Sequence, residues 1–163
     1  MHAPSDWVIR ETQGGKPTLE SFGQAVGFSI SHTDGLVGVL LSSNSSSGID
    51  IESLSRHVDV QKLAQRSCSD VEREWLSRHD LSDQSQAFLK LWTLKEAYLK
   101  ATGLGISVPL NQLSFGFSDG ILALDVDAGE TAGQAYRLYQ AAFARTPDMP
   151  GVAYSHREST RAH

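Results

Sequence analysis

Residues 92–100 read Trp-Thr-Leu-Lys-Glu-Ala-Tyr-Leu-Lys, a stretch with the spacing of a helix on which the rest of the fold depends. Trp92, Glu96 and Lys100 follow one another at intervals of four, so a helix places them on one stripe. Taken alone, the Glu96/Lys100 pair has a simpler interpretation as a surface pair, which stabilises a helix by only about 0.2–0.5 kcal/mol. Its significance comes from a second motif upstream.

Residues 48–52 read Gly-Ile-Asp-Ile-Glu and alternate isoleucines with carboxylates. A strand sends successive side chains to opposite faces, so this alternation predicts that Asp50 and Glu52 point away from a core that holds both isoleucines. An isolated segment of this kind is usually a solvated face. Together with Glu96 and Lys100, however, it offers three carboxylates and a lysine, the groups that a hard divalent cation and a phosphate require.

The composition is that of an ordinary soluble globular chain. Of its 163 residues, 40% are hydrophobic and 20% are charged, which allows one sizeable core. The longest apolar run, 35–41, is far shorter than the roughly 18 residues of a membrane span. The start of the sequence shows no signal-peptide features, and Cys68 is the single cysteine, so we expect a cytoplasmic protein. Cys68 itself is expected to be a small buried residue. A net charge of −5 without a Lys/Arg cluster argues against nucleic-acid binding.

Capping and turn signals predict an α+β fold. A capping box at Ser69–Glu72 opens a helix that ends near Arg78, and Asp83 with Gln86 opens a longer helix that ends near Ala101. Gly103 fits the left-handed position that follows a helix. Strands are predicted at Trp7–Arg10, Val26–Ser31, Leu36–Leu41, Ile49–Glu52, Leu113–Phe117, Ile121–Asp125, Ala135–Phe143 and Val152–Ser155. Grouped helices and strands that can pair antiparallel are typical of α+β proteins, here with an antiparallel sheet on the long helix.

Four motifs follow one another along the chain. They are Gly14-Gly15-Lys16-Pro17, Phe28–Thr33, Gly48–Glu52 and Trp92–Lys100, the last followed by Gly103-Leu104-Gly105. This ordered set resembles the 4′-phosphopantetheinyl transferase superfamily, specifically its monomeric type that activates surfactin-synthetase-like systems, over essentially all of residues 7–156. The resemblance implies two similar halves. Residues 1–47 would be a remnant of the first half with its coenzyme A-binding loop, and 48–163 the second half with the metal site, long helix and sheet.

The resemblance also implies an activity. Such a transferase moves phosphopantetheine from coenzyme A to a serine of an acyl or peptidyl carrier protein, with magnesium, or alternatively manganese, as the metal. Asp50, Glu52 and Glu96 would be the metal ligands, and Glu96 would also deprotonate the serine. Lys100, one helical turn further on, would stabilise or protonate the departing phosphate.

The upstream motifs would hold coenzyme A. Lys16 resembles the family lysine near the nucleotide phosphates, and His32 resembles the histidine that contacts the 3′-phosphate, with Ser31 donating a hydrogen bond beside it. Lys95 faces another direction of the helix than Glu96 and is expected on the rim of the cavity, either meeting phosphate or solvated. Ser29 departs from the family pattern, which has asparagine there.

The first half is short compared with the family pattern. A truncated chain, a naturally short variant and a chain completed by another copy are the three explanations. Uncovered apolar residues such as Val26, Ile30 and Val39, and an unpaired sheet edge, favour association. We therefore expect a homodimer.

An alternative function is a noncatalytic protein of the same fold that binds a carrier protein or coenzyme A. The short first half favours this alternative. The complete set of three carboxylates and one lysine favours the enzyme.

Overall fold

The computed structural model describes residues 7–12, 15–21, 24–42, 47–105, 108–118 and 121–126. The strands predicted at 135–143 and 152–155 lie outside these residues. The chain divides into two compact units, one formed by Met1–Ser53 with Thr93–Val108 and the other by Leu54–Trp92 with the chain from Pro109 onward. The described part of the chain contains antiparallel sheets and helices, which confirms the predicted α+β class. Among the described helices, none has the length and apolar character needed to cross a membrane.

The first unit contains a four-stranded antiparallel sheet. Its strands follow chain order and are β1 (Val8–Glu11), β2 (Pro17–Ser21), β3 (Gln24–Thr33) and β4 (Leu36–Ser42). Three of them confirm predicted strands, with bounds that differ by a few residues. The sequence analysis missed β2, a short strand that begins with proline and has a weak apolar pattern.

The two faces of β3 and β4 differ in character. Ser31 lies opposite Gly38, and Ile30 lies opposite Val39, so the serine and glycine share one face while the two apolar residues share the other. On that apolar face Ile30, Val37, Val39 and Leu41 are all more than half exposed, whereas Phe28 is buried. The expected uncovered apolar surface is therefore present.

Residues 49–52 do not form the predicted strand. The segment 47–53 has no regular secondary structure. The backbone N–H groups of Ile49 and Ile51 donate to the side-chain hydroxyls of Ser29 and Ser31, each at 3.2 Å. Because these hydroxyls replace the carbonyl partners of a sheet ladder, the segment is fixed to β3 without extending the sheet.

The helices α1 (Val60–Ser67) and α2 (Asp70–Ser77) belong to the second unit. The sequence analysis missed α1, which begins where Asp59 accepts from the Lys62 N–H at 3.1 Å. The predicted capping box of α2 is confirmed, since Ser69 and Glu72 each accept the other's backbone N–H. Glu72 is fully buried, and its second carboxylate oxygen accepts from the Phe115 N–H at 2.9 Å. The carboxylate thus also fixes α2 to the strand that follows the third helix.

The long helix α3 spans Leu81–Thr102. It begins before Asp83, because the Asp80 carbonyl already accepts from the N–H groups of Asp83 and Gln84, at 2.8 and 3.1 Å. The predicted capping position at Asp83 is therefore wrong, and Asp83 lies in the first turn. At the other end Gly103 has φ +73° and donates to the Leu99 carbonyl at 2.9 Å, which confirms the predicted left-handed position.

The second unit also contains a short hairpin. A 3-10 turn at Leu110–Gln112 leads into β5 (Leu113–Ser118), which pairs antiparallel with β6 (Ile121–Val126). Both strands confirm predictions. Cys68 is buried, as expected, and so is Phe88 of α3.

Candidate active site

Within the acidic segment, residues 48–52, Asp50 is held by two hydrogen bonds. Its Oδ1 accepts from the Ser31 hydroxyl and from Lys100 Nζ, both at 2.8 Å. The side chain is only 9% exposed. Its other oxygen, Oδ2, is buried and lacks a hydrogen-bond partner among the described residues. A buried carboxylate oxygen without a partner is costly unless a further group binds it.

Close packing against α3 sets the position of this segment. A Cβ added to Gly48 would lie 2.1 Å from the Ala97 carbonyl oxygen and 2.5 Å from the Ala101 nitrogen. Because both atoms belong to the helix backbone, only glycine permits this approach. Beyond Gly48, Ile51 fills the space above Gly38, where an added Cβ would lie 2.3 Å from Ile51 Cδ1. Two glycines therefore let the segment lie between the sheet and the last turns of α3.

Glu96 lies one helical turn before Lys100. Burial raises its pKa above the ordinary value, the negative charges of Asp50 and Glu52 raise it further, and the positive charge of Lys100 opposes them. The charges of all three carboxylates are thus close enough to interact. A carboxylate in such surroundings accepts a proton more readily than an ordinary one.

Three carboxylates suit a hard divalent cation in kind, and the unpartnered Oδ2 of Asp50 is a candidate ligand atom. The described residues nevertheless include no ready group of three His, Cys, Asp or Glu side chains arranged to hold a metal ion. The Lys100 ammonium already donates a hydrogen bond to Oδ1 of Asp50. The three carboxylates therefore fit a divalent cation by their chemistry, although their present arrangement is not that of a formed metal site.

The residues predicted to bind coenzyme A lie in three different surroundings. His32 is exposed near the end of β3. Ser31 is buried, donating to Asp50 and accepting the N–H of Ile51. Lys16 is only 9% exposed, and its Nζ donates to the carbonyls of Ser47 and Ala101 at 3.0 and 2.6 Å. This burial lowers the pKa of Lys16 to about 8.

Lys95 was expected at the rim of the cavity, either meeting phosphate or solvated, and the solvated alternative is wrong. Lys95 is 1% exposed, as buried as Leu91 and Tyr98. These three residues are spaced four and three apart, so they share one face of α3. That apolar spacing, applied to position 95, would have predicted burial.

Ser29 is a site residue that the sequence analysis left without a role. It is buried, and its hydroxyl accepts from the Ile49 N–H. With Ser31 two residues later, it forms a pair of hydroxyls on one face of β3. Serines at alternating positions of a predicted strand could have indicated that both hydroxyls face the same partner. The sequence does not show that this partner is the backbone of residues 49–51.

Comparisons with known proteins agree on one family. The family model of the 4′-phosphopantetheinyl transferase superfamily matches residues 46–144. The 4′-phosphopantetheinyl transferase gsp of Aneurinibacillus migulanus is 36% identical over 68% of this chain and 45% of its own length. The 4′-phosphopantetheinyl transferase Sfp of Bacillus subtilis is 32% identical over 68% of this chain and 47% of its own length. A phosphopantetheinyl transferase of Thraustochytrium is 30% identical over 84% of this chain and 52% of its own length.

The matches cover different shares of the proteins compared. This chain spans about half the length of the relatives named above. The matched region of the family model includes the acidic segment and the whole of α3.

Proposed function

Because the chain belongs to the 4′-phosphopantetheinyl transferase superfamily, we propose that it transfers the 4′-phosphopantetheine group of coenzyme A to a serine of an acyl or peptidyl carrier protein. The serine oxygen attacks the phosphorus next to pantetheine, and the bond from that phosphorus to the bridging oxygen breaks. The products are the modified carrier protein and 3′,5′-adenosine bisphosphate. The observation that supports this proposal best is the ion pair of Asp50 with Lys100, beside the electrostatically coupled Glu96.

Glu96 is the proposed base. A general base works best when its pKa lies near the working pH, and the pKa of Glu96 is raised in that direction. It takes the proton of the serine hydroxyl as the new oxygen–phosphorus bond forms. Lys100 is the proposed partner of the departing phosphate, because its ammonium can stabilise the charge that develops on the bridging oxygen or give that oxygen a proton.

Asp50, Glu52 and Glu96 are the proposed ligands of magnesium, with manganese as the alternative ion. A bound divalent cation would neutralise the pyrophosphate charge and favour its orientation. The unpartnered Oδ2 of Asp50 supports this assignment. The Ser31 hydroxyl donates to the other oxygen, Oδ1, of the same carboxylate and so helps to fix its orientation.

Four residues, Lys16, Ser31, His32 and Lys95, were predicted to contact coenzyme A, and we keep this proposal for Ser31 and His32, because the side chains of Lys16 and Lys95 are buried. Of these, His32 alone has an exposed side chain and can meet a phosphate without rearrangement. We further propose a cytoplasmic protein, because carrier proteins and coenzyme A are cytoplasmic substrates. The assignment of 1–47 to a first half and 48–163 to a second half stays a prediction.

One experiment tests the activity directly. The protein is incubated with coenzyme A, magnesium and an apo carrier protein, once each for fatty-acid, polyketide and peptide-synthetase carriers. We expect at least one carrier to gain the mass of a phosphopantetheine group, and we expect chelation by EDTA to abolish the gain. No mass gain on any of the three carriers would contradict the proposed transferase.

A second candidate is a noncatalytic protein that binds a carrier protein or coenzyme A. Two observations favour it: the Lys100 ammonium bonds Oδ1 of Asp50, and no three side chains among the described residues are grouped to hold a metal ion. Carrier binding measured by calorimetry without any mass gain would support this candidate over the enzyme.

A further inference from the structure

Lys16 makes contacts that suit a positioning residue. It follows the positive-φ Gly15 and precedes β2, and its stem is buried. Its ammonium donates to two backbone carbonyls that lie far apart in the sequence, those of Ser47 and Ala101. We propose that Lys16 is a positioning residue that holds the end of α3 against the acidic segment, so that Lys100 and Asp50 meet. The expected effect on catalysis rests on the proposed function, whereas the contacts of Lys16 do not depend on it.

The contact with Ala101 acts on the end of the helix. The last four carbonyls of a helix have no partner within it, and a cation near them is favourable because of the helix dipole. The Leu99 carbonyl accepts from Gly103 N and from the Thr102 hydroxyl. The Ala101 carbonyl accepts from Lys16 at 2.6 Å, so the last turn is capped from the first strands of the chain.

The contact with Ser47 acts on the acidic segment. Ser47 directly precedes Gly48, the residue whose backbone touches α3 at Ala97 and Ala101. One ammonium therefore binds both backbones at the point where they cross. Asp50 lies three residues after Ser47, and Lys100 lies one residue before Ala101, so their ion pair forms next to this crossing.

The burial of Lys16 separates this role from that of a phosphate anchor. A phosphate-binding lysine needs its ammonium at the surface of a cavity, whereas Lys16 is 9% exposed and directs Nζ at two carbonyls. Removing the ammonium leaves two carbonyls without their donor. Such a loss changes the position of nearby side chains without removing any group that contacts the substrate.

The test compares three variants with the wild type. Lys16→Met keeps the stem and loses the donors, Lys16→Arg keeps charge and donors, and Lys62→Met removes an exposed lysine of α1 as the matched control. Mn²⁺ affinity is measured by electron paramagnetic resonance without coenzyme A, and coenzyme A affinity by calorimetry. Turnover and KM are measured on a carrier protein that the wild type modifies, and melting curves confirm that each variant is folded.

We expect Lys16→Met to weaken Mn²⁺ binding and to lower kcat, each by about tenfold. KM for coenzyme A should stay within about twofold of wild type, since no contact to the substrate is lost. Lys16→Arg should recover most of both losses, and Lys62→Met should match the wild type. A weakened coenzyme A affinity with unchanged Mn²⁺ affinity would overturn the proposal and make Lys16 a phosphate contact. A lower melting temperature with unchanged Mn²⁺ affinity would overturn it too.

A measurement on the wild type decides the question even if Lys16→Met does not fold. The ¹⁵N signal of the Lys16 side chain is followed while coenzyme A is added. A positioning residue keeps its two carbonyl partners, so its signal should stay unchanged, whereas a shift that saturates with coenzyme A would overturn the proposal. If the wild type modifies no carrier protein, the proposed function fails, yet the Mn²⁺ and ¹⁵N measurements still decide the role of Lys16.

Discussion

Lys100 Nζ lies 2.8 Å from Oδ1 of Asp50, an ion pair that joins the last turns of α3 to the acidic segment. The Asp50 side chain is 9% exposed and that of Lys100 is 31% exposed. Because the pair is largely shielded from water, removing one partner leaves an uncompensated charge on the other. The pair also brings a candidate cation ligand into contact with a candidate phosphate partner.

Lys100→Met should act mainly on the chemical step. Without the ammonium, the departing phosphate loses its charge partner in the transition state, so turnover should fall by more than about tenfold, or about 1.4 kcal/mol. Coenzyme A affinity should weaken only modestly. Steady-state kinetics of Lys100→Met beside Lys90→Met, an exposed lysine of the same helix, measures both effects. Equal losses of affinity and catalytic efficiency at unchanged turnover would make Lys100 a simple phosphate anchor.

Asp50→Ala should remove activity together with its dependence on a divalent cation. The change deletes the carboxylate with the unpartnered Oδ2 and leaves Lys100 without its partner. Glu52→Gln should be milder, because an amide oxygen can still coordinate although it brings no charge. Activity titrated with magnesium measures both variants. Near wild-type turnover in Asp50→Ala would show that the proposed metal site is wrong.

Much of this site could be predicted from short-range patterns. The four-residue spacing of Glu96 and Lys100 placed both on one face of α3, and Lys100 pairs with Asp50 of the upstream motif. The capping box at Ser69 and the left-handed Gly103 were also predictable, since their partners lie within a few residues. Each of these signals depends on neighbours along the chain.

Contacts between distant segments could not be predicted in the same way. Alternation in residues 49–52 predicted a strand, but the Ser29 and Ser31 hydroxyls took the place of a ladder partner. Nothing near Lys16 in the sequence indicates that its ammonium binds the carbonyls of residues 47 and 101. The burial of Lys95 is a different case, because its spacing from the buried Leu91 and Tyr98 can be read from the sequence.

The raised pKa of Glu96 predicts a pH-dependent stability. The folded protein keeps this proton to a higher pH than the unfolded chain does, so ionised Glu96 destabilises the metal-free fold above the ordinary value of 4.5. Glu96→Gln should therefore raise the free energy of unfolding at pH 7, and the gain should disappear below pH 4.5. Urea unfolding at both pH values, without metal, measures it, with Glu11→Gln on β1 as the exposed control. A gain that persists at low pH would contradict the electrostatic cause.

Ser29→Ala should weaken both the fold and the site. The Ile49 N–H would lose its acceptor in a partly buried position, which costs about 0.5–1.5 kcal/mol. Because the acidic segment is then held to β3 chiefly through Ser31, Mn²⁺ affinity should fall as well. Urea unfolding and Mn²⁺ titration measure the two effects, with the exposed Ser77→Ala as control. An unchanged Mn²⁺ affinity would limit Ser29 to stability.

We still predict that the chain associates with itself through the apolar face of β3 and β4. Ile30 and Val39 are cross-strand partners on that face, 51% and 55% exposed, and monomeric soluble proteins seldom expose contiguous apolar patches of this kind. We expect the chain to form a two-fold dimer, and Val39→Lys to shift it to monomer by placing a charge in the contact. Val71→Lys, at a 62% exposed valine of α2, should leave the dimer intact. Light scattering over a concentration series measures the mass, and a monomer at every concentration would show that the face has no second copy as its partner.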